Sequence, residues 1–161
     1  MSKQLRKARN HNMVTTKQIK KLRDATGVSV MQCKKALDES RGDIEEATRI
    51  LKKASSDFAT KKGDRALGAG TLAAYIHATG TIGVMTEVLC ETDFVAKNED
   101  FKKLAYDIAM HISAMNPEDV KELLGQEYIK DSGKTIKNLV EEAIQKFGEN
   151  IEISQFIRYS I

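Results

Sequence analysis

The pattern of apolar and polar residues predicts three short helices early in the chain. Thr15, Ser29 and Asp43 stand where helix N-caps are expected, and Gly27 is suited to end the first helix. Residues 14–53 are therefore predicted to form a three-helix domain with a small core. The apolar positions at helical spacing are Ile19, Leu22, Cys33, Ala36, Leu37, Ile44, Ala47, Ile50 and Leu51.

Residues 54–70 interrupt this periodicity. Serine, lysine and glycine are frequent there, and they break up any long apolar pattern. We therefore expect a linker over 54–70, with room for one helical turn around Phe58.

The remaining residues, 71–161, predict a mixed domain. Apolar residues alternate over 72–76, 82–90 and 151–161, and Thr79-Gly80-Thr81 between the first two runs marks a hairpin turn. Three further segments have helical spacing: a long one opened by Asn98, a short one from Pro117 to Leu124, and one over 136–147 that Gly148 ends. These elements predict an α+β fold, in which three antiparallel strands pack against helices on one face.

Charge is distributed unevenly along the chain of 161 residues. Its net charge is +3, yet residues 1–23 hold eight Lys or Arg and no acidic residue. The rest carries 18 basic and 23 acidic side chains. We interpret residues 1–13 as a basic tail in solvent that lacks aromatic residues for stacking on bases. Nonspecific affinity for RNA stays open, and a basic-tailed RNA- or ribosome-associated protein is the alternative function.

Candidate chemistry is sparse. No apolar run is long enough for a transmembrane helix, and no signal segment is evident, so we expect a soluble protein of an aqueous interior compartment. Cys33 and Cys90 lie at core positions and are expected to be buried thiols. The three histidines lack ligand-spaced neighbours. No acid, base and nucleophile set is recognisable, and we expect neither an enzyme nor a cofactor or metal site.

The segment Thr92–Val95 stands out because it joins a predicted strand to the long helix. Phe94 and Val95 are apolar and adjacent, so either both fold into the core or Phe94 projects as an apolar wedge beside the carboxylate of Asp93. In the second case the segment could enter a pocket of a partner protein.

Several motifs resemble the translation elongation factor Ts family, the guanine-nucleotide exchange factors of elongation factor Tu. LRDATG at 22–27, CKKAL at 33–37 and GDI at 42–44 are similar to the amino-terminal helical module of that family. CETDFVA at 90–96 resembles its core signature, and GENI at 148–151 its carboxy-terminal signature. The resemblance covers about residues 13–160, with the motifs in the family's order.

The resemblance implies a ubiquitin-associated-like module at 14–53 and a dimerisation-type core. It also implies a partner-binding surface. Arg23, Met31 and Lys34 match module residues that meet the GTPase domain of the partner, and His77 matches a histidine of the core hairpin. Asp93 and Phe94 match the pair that intrudes near the partner's magnesium and nucleotide, and Thr92 and Val95 flank them in the same signature.

The function implied by the resemblance is release of GDP from elongation factor Tu during translation, without bond chemistry, in a bacterial-type cytoplasm, with an organelle as the other location. The span between Leu124 and Ser132 is shorter than in relatives. The core therefore resembles a reduced single copy, and single-core members tend to form homodimers. An adaptor that uses the helical module alone is a third hypothesis.

Overall fold

A computed structural model describes residues 14–161, which divide between Ser55 and Ser56 into two compact units. The predicted basic tail, residues 1–13, lies outside the described residues. The elements are α1 (Thr16–Thr26), α2 (Val30–Glu39), α3 (Ile44–Lys62), β1 (Ala69–Ile76), β2 (Ile82–Cys90), α4 (Asp93–Ala96), α5 (Glu99–Met115), α6 (Val120–Gly125), β3 (Glu127–Tyr128), β4 (Asp131–Thr135), α7 (Ile136–Phe147) and β5 (Ile151–Ser160).

Capping residues define the helices of the first unit as the sequence predicts. Thr15 and Gln18 form a reciprocal capping box at the start of α1, and Gly27 ends the helix in the left-handed conformation, with φ of 69°. Ser29 caps α2 by accepting a hydrogen bond from the Gln32 N–H. The buried core between the three helices consists of Leu22, Val28, Cys33, Ala36, Leu37, Ala47 and Leu51.

The third helix is longer than the sequence pattern predicts. Residues 54–62, assigned to a linker, continue α3 as far as Lys62. Ser55 and Thr60 donate their hydroxyl hydrogens to the carbonyls four residues earlier, which satisfies polar groups that would otherwise compete with the helix. Phe58 packs against the core of the second unit. This burial outweighs the weak helix propensity of the segment.

The second unit contains the predicted antiparallel sheet, in the order β1-β2-β5. The hairpin places Ala69 opposite Cys90 and Ile76 opposite Gly83, and β5 runs antiparallel along the other side of β2. The mixed fold class with helices and a three-stranded antiparallel sheet is thereby confirmed.

One face of this sheet forms the core of the second unit. Val84 and Val88 of β2 lie against α5, whose Phe101, Ile108 and Ile112 are fully buried. Phe101 also meets Phe147 of α7 edge to face, with ring centroids 6.0 Å apart. The sheet and α5 therefore form a rigid support for the segment that connects them.

Residues 116–135 differ in detail from the sequence prediction. The short helix α6 begins at Val120, capped by Asp119, rather than directly after Pro117. A small hairpin of β3 and β4 follows, which the periodicity did not indicate. Its strands are too short and polar to give an alternating pattern, and only Tyr128 is buried.

His111 of α5 attaches this hairpin to the core. Its ring is fully buried, and Nδ1 accepts a hydrogen bond from the Ile129 N–H at 3.3 Å. The proton therefore resides on Nε2, which lies 3.1 Å from the Gln126 side-chain oxygen and donates to it. Burial lowers the pKa of His111, and the hydrogen bond to Gln126 opposes that effect.

This arrangement predicts an acid-sensitive contribution to stability. Below the ordinary pKa of 6.5, an unfolded chain protonates His111 while the folded chain keeps it neutral until a lower pH. The free energy of unfolding should therefore fall between pH 6.5 and the lowered pKa, by at most about 1.4 kcal/mol per pH unit. Urea denaturation of wild type and His111→Gln at pH 7.5, 6.5 and 5.5 measures this. The variant should lose less stability with acid, and equal losses would contradict the prediction.

Candidate functional site

The connection between β2 and α5 exposes an aromatic ring and a carboxylate. Phe94 is 82% exposed, and the side chain of Asp93 is equally exposed. Val95 and Ala96, on the opposite side of the single turn α4, are buried. Of the two alternatives left open by the sequence, the structure has the second: Val95 fills the core and Phe94 projects outward. The turn presents Phe94 and Asp93 on its outer side.

Both ends of this turn are anchored. At its start, the Thr92 hydroxyl accepts a hydrogen bond from the Val95 N–H at 3.4 Å and so caps α4. At its end, the Asn98 N–H donates to the Val95 carbonyl, and the Asn98 side chain caps α5. The ion pair of Asp93 with Lys97, at 3.6 Å, is open to solvent and adds little stability.

A carboxylate from the end of α7 holds the start of the turn. Glu149 Oε2 accepts hydrogen bonds from the backbone N–H groups of Glu91, at 3.1 Å, and Thr92, at 3.0 Å. Its Oε1 lies 2.6 Å from the Thr92 hydroxyl, which donates to it. These are charge-assisted bonds, which are stronger than bonds between neutral groups.

Glu91 makes the reciprocal contact. Its Oε1 accepts from the Asn150 N–H at 2.6 Å, and its Oε2 pairs with the Arg65 guanidinium at 3.3 Å. The hydrogen bond from the Asn150 N–H lowers the pKa of Glu91, and the nearby positive charge of Arg65 acts in the same direction. The buried Asn150 side chain donates in turn to the carbonyls of Gly63 and Arg65.

The module residues singled out by the resemblance are exposed. Arg23 lies in the last turn of α1, where a cation interacts favourably with the helix dipole. Met31 is 83% exposed at the start of α2, and Lys34 follows one helical turn later on the same side. The core positions of α2 point the other way. Met31 and Lys34 therefore share an accessible surface of the first unit.

His77 lies apart from the turn α4 in the second unit. It follows β1 at the end of the hairpin where Ile76 pairs with Gly83, whereas α4 follows Cys90 at the opposite end. At about 3.3 Å per strand residue, the two ends are roughly 23 Å apart. His77 is exposed and contacts Tyr75, with Nδ1 3.4 Å from the phenol oxygen. The structure does not bring His77 and Phe94 together.

The described residues, 14–161, contain no cluster of side chains suited to hold a metal ion. No group of three or more His, Cys, Asp or Glu side chains converges there as a metal site would require. Cys33 and Cys90 are both buried free thiols, as expected, and burial raises the pKa of each. None of the helices in this part of the chain has the length and apolarity to span a membrane.

The hydrophobic pattern of the sequence does not indicate the residues that hold the turn. Glu149, Asn150 and Glu91 belong to the motifs quoted for the resemblance, but periodicity gives polar residues at strand ends no role. Their function depends on which strands pair, since Cys90 lies opposite Ile151 in the sheet. The signal available in the sequence was the pair of short polar motifs, each next to an apolar strand.

Known proteins resemble this chain over most of its length. A family model described as "Elongation factor TS" matches residues 91–161. The elongation factor Ts of Thermotoga neapolitana is 40% identical, over 74% of this chain and 83% of the relative. The proteins of the same name from Desulforamulus reducens and Geobacter metallireducens are 36% and 38% identical, each over 74% of this chain and 76% of the relative.

The alignment to the Thermotoga protein is 163 positions long but takes in only 74% of this chain, so the relative has internal residues with no counterpart here. This agrees with the shortened form that the resemblance implies. The chain therefore belongs to the elongation factor Ts family and is a shortened form of this translation elongation factor.

Proposed function

We propose that this protein is a guanine-nucleotide exchange factor that binds elongation factor Tu with GDP and accelerates release of the nucleotide. Family membership supports this proposal. The single observation that carries it furthest is the 82% exposure of Phe94 on a turn anchored at both ends. We place this activity in a bacterial-type cytoplasm, with an organelle as the other location.

Exchange of this kind needs no bond to be made or broken. A protein that weakens nucleotide binding must, by linkage, bind the nucleotide-free partner more tightly than the nucleotide-bound one. An exchange factor therefore needs a surface that binds the partner more tightly when the partner's nucleotide site is distorted. A rigid apolar side chain meets this requirement, because it occupies space that a flexible one would vacate.

Phe94 and Asp93 are the residues to which we assign the distortion. An aromatic ring inserted near the partner's magnesium would displace groups that hold the metal, and the phosphates would lose a large compensating charge. Asp93 adds a negative charge beside the ring, which disfavours the nearby phosphates further. Release of GDP then becomes faster.

The helical module supplies docking in this proposal. Arg23 and Lys34 add positive charge that steers encounter with an acidic surface, and Met31 adds a flexible apolar contact. His77 lies at the other end of the hairpin and would meet a different part of the same partner. Binding and distortion thereby reside in different residues, which makes them separable by mutation.

We also propose that two copies pair through the sheet face that points away from α5. That face exposes apolar side chains on all three strands: Leu72, Ile76, Met85, Ile157 and Tyr159. Register places Met85 between Ala74 and Ile157, at the middle of the patch. Exposed apolar patches of this kind mark interaction sites, and a second copy presents a matching patch under twofold symmetry.

The exchange proposal predicts the effect of Phe94→Ala. The acceleration of GDP release from elongation factor Tu should be roughly tenfold smaller for the variant than for wild type, because loss of a central aromatic contact weakens an interface by about this factor. Stopped-flow fluorescence with a labelled GDP measures the rate. Ile129→Ala, at another exposed apolar position, is the matched control and should behave as wild type. Equal rates for Phe94→Ala and wild type would refute the role of Phe94.

The alternative functions make different predictions for the same proteins. An adaptor would keep its partner after Asp93 and Phe94 are both replaced by alanine, with no exchange activity to lose. An RNA-binding protein would lose salt-sensitive RNA affinity on deletion of residues 1–12. Wild type that leaves the release rate unchanged would favour one of these two over the exchange function.

The pairing proposal predicts that Met85→Glu separates the two copies. A carboxylate at the centre of the apolar patch would be buried without a partner, so the variant should be monomeric. Light scattering after size-exclusion chromatography should give about twice the 17.9 kDa chain mass for wild type and for the control Ile129→Glu. A wild type that is monomeric at micromolar concentration would contradict the pairing.

A further inference from the structure

We propose that Glu149 is a positioning residue for nucleotide exchange, because its carboxylate fixes the turn that presents Phe94. This inference rests on the proposed exchange function and adds a residue to it. Glu149 is far from the turn in the sequence. Thr92, to which it is hydrogen-bonded, lies 57 positions before it. It acts through Thr92 and the backbone.

The segment before β5 lies beside the segment that follows β2. Gly148 ends α7 with φ of 74°, and this left-handed residue turns the chain so that Glu149 lies just before β5. Since β5 pairs antiparallel with β2, Cys90 lies opposite Ile151. The residues that precede β5 therefore adjoin the residues that follow β2.

Glu149 holds Thr92 by two hydrogen bonds. Its backbone N–H and its hydroxyl both donate to Glu149, at 3.0 and 2.6 Å. With its hydrogen committed to Glu149, the hydroxyl oxygen turns its lone pairs toward the Val95 N–H and caps α4. Glu149 thus determines both the backbone position and the rotamer of the capping residue.

The helix α4 is not stable by itself. A single helical turn of four residues is far below the length at which a helix is stable in water. Val95 and Ala96 anchor its inner side by burial, but Phe94 and Asp93 gain nothing from the core. Their direction is therefore set by the cap at Thr92, and the cap is set by Glu149.

A reciprocal hydrogen bond links the two segments, because Glu91 accepts from the Asn150 N–H at 2.6 Å. Two carboxylates here each bind the backbone of the other's segment, so neither segment can shift alone. Arg65, 3.3 Å from Glu91, offsets the repulsion between the two negative charges. The pair therefore holds both segments in one relative position, which suits a side chain that must enter a partner at a defined angle.

The test combines graded variants of Glu149 with Phe94→Ala. Glu149→Ala removes all three bonds. Glu149→Gln keeps one oxygen that can accept from the two backbone N–H groups in weaker, neutral bonds, but it places an NH2 donor where the second oxygen accepted from the Thr92 hydroxyl. We expect the maximal rate of GDP release from elongation factor Tu to fall roughly tenfold for Ala and about threefold for Gln. The protein concentration that gives half-maximal rate should change little, because the docking residues are intact. Glu127→Gln is the control for loss of an exposed carboxylate.

Two measurements separate positioning from general stability. The double variant Glu149→Ala with Phe94→Ala should release GDP no more slowly than Phe94→Ala alone, since Glu149 acts through the aromatic ring. Hydrogen exchange of the amides of residues 92–97 should accelerate in Glu149→Ala, while the amides of Val84 and Val88 in β2 stay protected.

Each contrary outcome has one meaning. Full activity of Glu149→Ala, a double variant slower than Phe94→Ala, or equal acceleration of exchange in β2 would overturn the positioning role and leave the exchange function standing. Inactivity of the wild type, or a Phe94→Ala variant as active as wild type, would overturn the exchange mechanism and the positioning role with it.

Discussion

The antiparallel pairing of β2 with β5 places Cys90 opposite Ile151, and the geometry of the candidate site depends on that register. Because a strand's side chains alternate between faces, a shift of one residue would turn Val88 and Ile153 from the core to solvent. The core therefore enforces the register strongly. The same register brings the segment before β5 against the segment after β2, where Glu149 and Glu91 exchange hydrogen bonds with the neighbouring backbone. The register of β2 and β5 therefore determines both the stability of the sheet and the geometry of the turn.

An exposed phenylalanine has a cost that the rest of the turn compensates. Burial of such a side chain would stabilise the fold by about 1.5–3 kcal/mol, and Phe94 forgoes this. Val95, its neighbour, is buried and recovers part of that energy while it fixes the inner side of α4. The apolar surface of Phe94 thus remains available to a partner, which is the arrangement expected of a binding residue rather than of a core residue.

Local chemistry made much of the fold predictable. Thr15, Ser29, Asn98, Gly27 and Gly148 lie at the helix ends where capping preferences place them, and the alternation over 82–90 predicts the inner face of β2. The continuation of α3 through residues 54–62 was not predictable in this way, because it depends on packing of Phe58 against residues distant in sequence. Predictions failed where tertiary contacts override local propensity.

The candidate site was predictable to a different degree. Apolar pattern alone left Phe94 undecided between the core and solvent, and only the resemblance to a family indicated an outward direction. Glu149 and Asn150 were invisible to periodicity, because their role requires the pairing of two strands about 60 residues apart. A site held by backbone hydrogen bonds leaves little trace in the hydrophobic pattern, which reports burial and not the direction of a turn.

The most direct test of the central claim compares the affinity of this protein for nucleotide-free elongation factor Tu with its affinity for the GDP-bound form. Linkage requires the ratio of the two dissociation constants to equal the factor by which this protein weakens GDP binding. We expect the nucleotide-free form to bind at least a hundredfold more tightly, a coupling of about 2.7 kcal/mol. Equal affinities for the two forms, measured by titration calorimetry, would contradict the account, because a protein without preference cannot displace a nucleotide.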